Sequence, residues 1–236
     1  MIEDATRLEV ENLHSWYDES HILHGATMKV SKGEIVTLLG RNGAGKTTMM
    51  RTLAGVVRQR KGKLVFDGHD LMSTPAHRVA RLGLGYVPEE RGIFSSLNVA
   101  ENLVLPPVVK AGGMSIEHIY ELFPNLKGRD STVGTRLSGG EQQMLAIARI
   151  LRTGADFILL DEPTEGLAPV IVEDIARVLG ELKNLGLTII LVEQNIQFAT
   201  ASADRHYVME QGRIVDEFSN EALLSDMARI NAYLGV

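Results

Sequence analysis

The chain has 236 residues, and its 24 basic and 30 acidic side chains give a net charge of −6, which argues against a protein built to neutralise a nucleic-acid backbone. It contains no cysteine, so disulfides and thiolate metal sites are excluded. We find no export signal at the start and no apolar run near the ~18 residues of a membrane-spanning helix, so we expect any membrane association to depend on a partner.

The first third of the chain predicts mainly β structure. Residues 7–39 predict strands at LEVENLHSWY, at ATMKV and at EIVTLLG; the last is a continuous apolar run, typical of a strand buried on both faces of a sheet. Apolar residues at helical spacing predict a helix over residues 46–57. A short strand over residues 63–66 ends at Asp67-Gly68, which is a hairpin turn signal.

The rest of the chain predicts helices followed by more strands. The segment from about residue 95 to 154 has the composition of helices and is broken by prolines and glycines. This pattern indicates an inserted helical subdomain. DFILLDEP and LTIILVEQ predict buried strands on either side of a helix at about residues 170–185, and this order favours a parallel sheet with right-handed crossovers. A hairpin at Gln211-Gly212 and a helix over 221–233 complete an α/β chain.

A glycine-rich segment follows the predicted strand EIVTLLG and opens the predicted helix. Its sequence, GRNGAGKTT, matches the phosphate-binding pattern G-x-x-x-x-G-K-[ST] in the context that the motif requires. Backbone N–H groups can then wrap the phosphates, Lys46 neutralises the β- and γ-phosphates, and the Thr47 hydroxyl ligates Mg²⁺. The candidate phosphate-binding residues are Gly40, Arg41, Asn42, Gly43, Ala44, Gly45, Lys46, Thr47 and Thr48.

Two adjacent carboxylates end the predicted strand FILLDE. Ligands of open parallel sheets bind just outside the carboxyl ends of the strands, and an ionised group there needs a partner or a metal. We therefore assign Asp161 to Mg²⁺ and Glu162 to polarising an attacking water. Ordinary surface acids at a strand end are the alternative, and the phosphate-binding motif upstream favours the catalytic interpretation.

A second anion-binding candidate opens a patterned helix at RLSGGEQQ. Glycines at a helix N-terminus allow close backbone approach to an anion, and the helix dipole favours negative charge there. The residues concerned are Leu137, Ser138, Gly139, Gly140 and Glu141. A simple glycine cap would explain one of these glycines but not the whole motif.

The phosphate-binding motif, LSGG and DEP, in this order, resemble the ATP-binding subunit of ABC transporters over essentially the whole chain. The resemblance implies one domain over 1–236: a nucleotide-binding core with an antiparallel β part over 7–94 and 155–218, a helical subdomain over about 95–154, and a C-terminal helix over 219–236. It implies ATP and Mg²⁺ as cofactors and ATP hydrolysis as the activity. It further implies that LSGG closes over ATP held by a second, head-to-tail subunit.

The resemblance also assigns roles to residues whose positions in the sequence alone would not indicate a function. Tyr17 is expected to stack on adenine, with Trp16 as the alternative. Two positions depart from the usual pattern: Glu89 stands where glutamine is common and can ligate a metal, and Gln194 replaces a histidine that contacts the γ-phosphate. Ala168 stands near the place of a common aspartate. We therefore count Lys46, Glu162 and Gln194 as catalytic and Thr47, Glu89 and Asp161 as metal ligands.

VPEERGIF, SLNVAENL, DEPTEGLAP and LVEQN resemble the second ATPase subunit of branched-chain amino-acid importers. Implied partners are two transmembrane permeases, a second ATPase subunit (another copy of this chain or a homologous one) and, indirectly, a periplasmic binding protein. The resemblance places the chain at the cytoplasmic face of the membrane, with no nucleic acid bound. Urea or amide importers, lipopolysaccharide-type exporters and soluble ATPases of DNA repair or translation are the alternatives. For His14, His21 and His24 we expect surface or packing roles.

Overall fold

The computed structural model describes residues 6–225 and 227–234. Ten strands and nine helices are assigned in these ranges. The strands are β1 (Thr6–Tyr17), β2 (Ser20–Ser31), β3 (Ile35–Leu39), β4 (Arg60–Phe66), β5 (His69–Asp70), β6 (Leu84–Val87), β7 (Phe157–Asp161), β8 (Thr188–Glu193), β9 (Arg205–Glu210) and β10 (Arg213–Ser219). The helices are α1 (Lys46–Leu53), α2 (Ala76–Arg81), α3 (Val99–Val104), α4 (Ile116–Leu122), α5 (Gly139–Arg152), α6 (Pro169–Asn184), α7 (Ile196–Ser202), α8 (Asn220–Ser225) and α9 (Met227–Leu234).

Two sheets form the β part of the fold. The larger has the order β10-β9-β3-β8-β7-β6, and its pairs are parallel except for the β9–β10 hairpin. The smaller, antiparallel sheet has the order β2-β1-β4-β5. Every residue of β3, β7 and β8 is buried, as continuous apolar runs predict for strands covered on both faces. The α/β fold class with an antiparallel β part is confirmed.

Helices α3 to α5 lie between β6 and β7 in the chain, where the sequence predicts the helical insertion. Helix α5 carries most of the apolar surface of this region, since eight of its residues are buried. Six of them, residues 144–148 and Leu151, pack with buried residues of α3, α4 and α6 in one hydrophobic cluster. The helix that begins at LSGG is thereby fixed along its length while its first turn stays near the surface.

Some predicted elements have different bounds in the structure. Helix α1 ends at Leu53 rather than at residue 57, because Gly55 (φ +76°) donates to the carbonyl of Thr52 and Val56 donates to that of Arg51, a Schellman ending. Strand β6 is not predicted at all. The closing helix predicted over 221–233 is described as α8 and α9, and position 226 between them lies outside the described residues.

Candidate nucleotide-binding site

The phosphate-binding motif forms the turn between β3 and α1. The Lys46 ammonium is almost completely buried and donates to the carbonyls of Gly40 (2.8 Å) and Arg41 (3.1 Å). It also lies 3.4 Å from Oε1 of Glu162. A buried lysine held by two carbonyls and one carboxylate is ready to exchange these partners for phosphate oxygens.

A cavity of about 420 Å³ opens above this turn. It joins the phosphate-binding turn to acidic side chains from two other parts of the chain. Its lining residues are Ile22, Asn42, Gly43, Gly45, Lys46, Thr47, Thr48, Glu89, Glu162 and Glu165. Sequence reasoning predicted all of them except Ile22 and Glu165. The N–H of Glu165 donates to the carbonyl of Glu162 (3.2 Å), and the resulting turn brings Glu165 back over the cavity. This local turn is the signal that could have indicated Glu165 as a site residue.

Asp161 and Thr47 lie together at the end of β7. The Thr47 hydroxyl donates to Oδ1 of Asp161 (3.3 Å) and the Tyr86 hydroxyl to Oδ2 (3.1 Å). Burial raises the pKa of Asp161 to about 6, and the nearby charges of Glu162 and Glu89 add to this effect. Because burial disfavours the negative charge of Asp161, a bound cation would offset this cost, so the carboxylate is suited to bind one.

These residues fit Mg²⁺ bound together with nucleotide. In the ranges that the structure describes, no group of three or more histidine, cysteine, aspartate or glutamate side chains is placed to hold a metal by itself. Mg²⁺ commonly takes only one or two protein ligands and completes its shell with phosphate oxygens and water. Thr47 and Asp161 supply such a pair, and Glu89 faces the same cavity. Their role as ligands stays a prediction.

Glu162 occupies a strained position. Its φ is +47°, which is uncommon for a residue with a long side chain and costs free energy. Its backbone N–H donates to the carbonyl of Val192 in the neighbouring strand (3.1 Å). The strained turn points the carboxylate toward Lys46 and Gln194, so backbone strain coincides with the predicted catalytic residue.

Gln194 reaches the same carboxylate from the end of β8. Its Nε2 donates to Oε2 of Glu162 at 2.7 Å. The preceding Glu193 is buried, accepts from Thr164 Oγ1 (2.7 Å), and has its pKa raised by burial. This arrangement fixes the backbone of the strand end from which Gln194 projects. The structure thus brings Lys46, Glu162 and Gln194 together as predicted.

The LSGG segment lies apart from this cavity. None of the residues that line the cavity belongs to 137–141. Ser138 caps α5: its hydroxyl accepts from Glu141 N (3.3 Å), and its own N–H donates to Oε2 of Glu141 (2.7 Å). This capping box fixes the first turn of the helix. This separation agrees with the expectation that LSGG contacts nucleotide held by a second subunit rather than by its own chain.

The predicted adenine platform lies at the end of β1. Tyr17 is 40% exposed and borders a shallow cavity with residues 56–59. The alternative, Trp16, is stacked instead on His21, with ring centroids 4.4 Å apart. His14 and His24 continue this group of rings, in agreement with the expected packing role of the histidines. Because the Tyr17 ring is exposed and Trp16 is stacked on His21, Tyr17 is favoured as the adenine platform.

No helix within residues 6–225 and 227–234 has the length and apolarity to cross a membrane.

Comparison with known proteins places the site in a family. A model described as ABC transporter matches residues 23–165. The chain is 40% identical to the high-affinity branched-chain amino acid transport ATP-binding protein BraG of Pseudomonas aeruginosa, over 97% of this chain and 99% of that one. It is 36% identical to the lipopolysaccharide export ATP-binding protein LptB of Haemophilus influenzae, over 97% of each. An ATP-binding cassette of an ABC transporter in its ADP conformation superposes with a TM-score of 0.79 and 26% identity, over 98% of this chain and 99% of that one. The chain therefore belongs to the ABC transporter family and is one of its ATP-binding cassettes, the ATPases that power transport.

Proposed function

We propose that this chain is the ATPase subunit of an importer for branched-chain amino acids. Support for the substrate comes from the 40% identity to the Pseudomonas aeruginosa protein, which extends over almost the full length of both chains. The nucleotide site itself contains no residue that would select a transported solute. The solute is therefore expected to be chosen by a periplasmic binding protein and by the permeases.

The observation that carries the role in transport is an apolar groove of about 310 Å³ on the side of the helical insertion. Its walls come from the residues directly after α1, from α2, from β6, from the segment before α4 and from the end of α5. The lining residues are Ala54, Val56, Ala76, Ala80, Leu84, Gly85, Tyr86, Pro107, Val109, Ile150 and Thr153. Val104, Leu105 and Val108 are exposed beside it. Apolar surface of this kind is typical of a protein–protein contact, and we infer that a short cytoplasmic helix of a permease docks here.

The proposed chemistry begins with the binding of ATP. Backbone N–H groups of the phosphate-binding turn and Lys46 hold the β- and γ-phosphates, while Tyr17 stacks on the base. Thr47, Asp161 and Glu89 would hold Mg²⁺, which neutralises charge that develops on the phosphates. Glu162 accepts a proton from the attacking water, and Gln194 donates an amide hydrogen to the γ-phosphate.

A second subunit completes the site in this proposal. Ser138, Gly139 and Gly140 at the start of α5 would close over the γ-phosphate bound to the facing subunit. ATP then joins two cassettes head to tail, and hydrolysis releases them. The partner is a second copy or, as we favour, a related ATPase that retains histidine at the position of Gln194. Both would lie at the cytoplasmic face of the membrane, each under one permease, and no nucleic acid is involved.

Uptake and export assays test this function. Deleting the gene in its own host should abolish uptake of labelled leucine, isoleucine and valine, and complementation with Lys46→Ala should not restore it. Val56→Asp places a charge in the groove and should abolish co-purification of permeases and uptake but leave ATP binding by the isolated chain unchanged. Val215→Asp, at a half-exposed valine on β10, is the matched control.

Export of lipopolysaccharide is the second candidate, because the chain is also 36% identical to an ATPase of that system. Loss of surface lipopolysaccharide with normal amino-acid uptake in the deletion strain would establish it instead. Loss of urea or short-amide uptake alone would support the third possibility. Normal uptake of all three amino acids contradicts the proposed substrate.

A further inference from the structure

Arg51 connects two segments that both border the nucleotide site. It lies in the last turn of α1, five residues after Lys46, and its side chain is 35% exposed. One of its guanidinium nitrogens lies 3.0 Å from Oε1 of Glu90. Glu90 follows Glu89, the predicted Mg²⁺ ligand that faces the phosphate cavity. This ion pair therefore joins the helix of the phosphate-binding motif to the segment 88–92.

The same guanidinium also lies near two tyrosines. Tyr17 borders a shallow cavity with Val56 and Val57, whose N–H groups donate to the Arg51 carbonyl (2.9 and 3.3 Å). The nearby hydroxyls of Tyr86 and Tyr17 raise the pKa of the Arg51 guanidinium. Tyr86 in turn donates to Asp161 (3.1 Å). Arg51 thus lies between the predicted adenine platform on one side and the residues near the predicted metal on the other.

The segment 88–92 depends on such contacts for its position. Its backbone hydrogen bonds Arg91 N–Pro88 O and Gly92 N–Glu90 O are local, so they shape a turn without attaching it to the core. Arg91 donates to Gln142 Oε1 on α5 (3.0 Å). Arg149 on α5 donates to the Gly92 carbonyl (2.5 Å), and Glu90 accepts from Arg51 on α1. The segment is therefore held in place by contacts with two helices. These are α1, which follows the phosphate-binding turn, and α5, which begins at LSGG.

We propose that Arg51 is a positioning residue that links the adenine side of the nucleotide pocket to the segment 88–92, through its ion pair with Glu90 and its proximity to Tyr17. Base stacking on Tyr17 orders that ring, and the ordered ring restricts Arg51. Arg51 then holds Glu90, and with it Glu89, beside the phosphates before any metal arrives. The inference rests on the proposed function, since it requires that ATP or ADP binds in this pocket with its base at Tyr17.

Amide hydrogen exchange of the full-length chain tests the link. ADP is added with excess EDTA, so that no metal can bridge Glu89 to the phosphates, and pyrophosphate serves as a ligand that fills the phosphate-binding turn without a base. In the unsubstituted protein, ADP should slow exchange across residues 89–92 by about three-fold or more, the size expected of a partly exposed ion pair. Pyrophosphate should not.

Substitutions then assign the effect to the ion pair. Arg51→Gln and Glu90→Gln should each abolish the protection by ADP, and the double substitution should add nothing, since both remove the same contact. Arg51→Lys should retain part of it. Arg81→Gln, at an exposed arginine on α2, should behave as the unsubstituted protein. Calorimetric titration with ADP verifies that every variant is compared at saturation.

Two results would overturn the proposal: protection that persists in Arg51→Gln, or equal protection by pyrophosphate and ADP. Failure of the unsubstituted chain to bind ADP would instead contradict the proposed function, so the two failures are distinguishable. Thermal unfolding of Arg51→Gln provides the remaining check. A small change in melting temperature together with lost protection supports positioning, whereas a large fall shows that Arg51 acts by stabilising the fold and overturns the proposal.

Discussion

The side-chain amide of Gln194 donates to Oε2 of Glu162 at 2.7 Å, while Lys46 lies 3.4 Å from Oε1 of the same carboxylate. Both oxygens of Glu162 therefore have a partner. One of these partners is a neutral amide that cannot titrate. Release of Gln194 toward the γ-phosphate would free the carboxylate for a water molecule, so this contact separates a resting from a reactive arrangement.

Replacing Glu162 with glutamine should abolish turnover and preserve ATP binding. A neutral amide cannot accept the proton of the attacking water, and general base assistance is worth ~10²–10⁴ in rate. We expect single-turnover hydrolysis to fall by that factor, with ATP-bound dimers persisting on size-exclusion chromatography. Near-normal hydrolysis in this variant would remove Glu162 from its assigned role.

Replacing Gln194 with histidine should add the titration of an imidazole to the pH dependence of hydrolysis. An imidazole changes its charge near neutral pH, whereas an amide does not. The pH–rate profile of Gln194→His should gain an inflection between about pH 6 and 8, and Gln194→Asn should not show it. Identical profiles for the histidine variant and the unsubstituted protein would mean that residue 194 does not face the reacting groups.

Replacing Gly139 with leucine should separate binding from hydrolysis. The bulky side chain would obstruct an approaching phosphate of the second subunit, but the phosphate-binding turn of the same chain lies elsewhere. Hydrolysis should fall by ~10²-fold or more, as on loss of electrostatic donors, with unchanged ADP affinity in calorimetry. Gly180→Leu, at an exposed helical glycine with no atom within 4 Å of an added Cβ, is the control. Loss of ADP affinity in Gly139→Leu would contradict the cross-subunit assignment.

Replacing Asp161 with asparagine should stabilise the nucleotide-free protein above pH 6. The folded-state pKa of about 6 exceeds the ordinary value of 3.8, so the folded protein binds this proton more tightly than the unfolded chain does. Stability should therefore decrease as the pH rises from about 4 to about 6. The variant avoids this loss, and its free energy of unfolding should exceed that of the unsubstituted protein on the order of 2 kcal/mol at pH 8.

Urea unfolding at several pH values measures this difference. The gain should shrink as the pH falls from about 6 to about 4 and should vanish below about pH 3, where Asp161 is protonated in both states. Asp18→Asn, at an exposed turn residue, should show no such trend. A pH-independent gain for Asp161→Asn would indicate a packing effect rather than relief of a buried charge.

Replacing Gly212 with alanine should destabilise the protein and weaken nucleotide binding. Gly212 lies in the β9–β10 turn with φ +74°, and an added Cβ would lie 1.9 Å from the carbonyl oxygen of Ile22. Its N–H donates to Ala44 O in the phosphate-binding turn, and its carbonyl accepts from His24 N (both 2.8 Å). The melting temperature and ADP affinity should both fall, whereas Gly180→Ala should lower neither. An unchanged ADP affinity in Gly212→Ala would show that the hairpin does not support the turn.

The buried strands and the motif residues were predictable because each is encoded locally. A continuous apolar run defines β3, β7 and β8, and a short motif places Lys46 and Thr47 at the start of a helix. Strand β6 escaped prediction because it has only four residues, with Gly85 among them and Gly83 directly before them, and its pairing with β7 reveals it. The α/β fold class and the ATPase family are confirmed, whereas the roles of the individual site residues stay predictions.

Contacts between distant side chains were not predictable from the sequence. Glu162 and Gln194 are 32 residues apart, and Arg51 and Glu90 are 39 apart. Such pairs depend on how helices and strands pack, which no local pattern specifies. The stacking of Trp16 on His21, its cross-strand partner, is a further contact of this kind.

That stacked ring also gives the protein an optical reporter. Trp16 is the single tryptophan of the chain, and it borders the same shallow cavity as Tyr17. Its emission therefore arises from one place only and is sensitive to the imidazole stacked on it. If the base binds at Tyr17 as proposed, intrinsic fluorescence should report nucleotide binding without a dye attached to the chain.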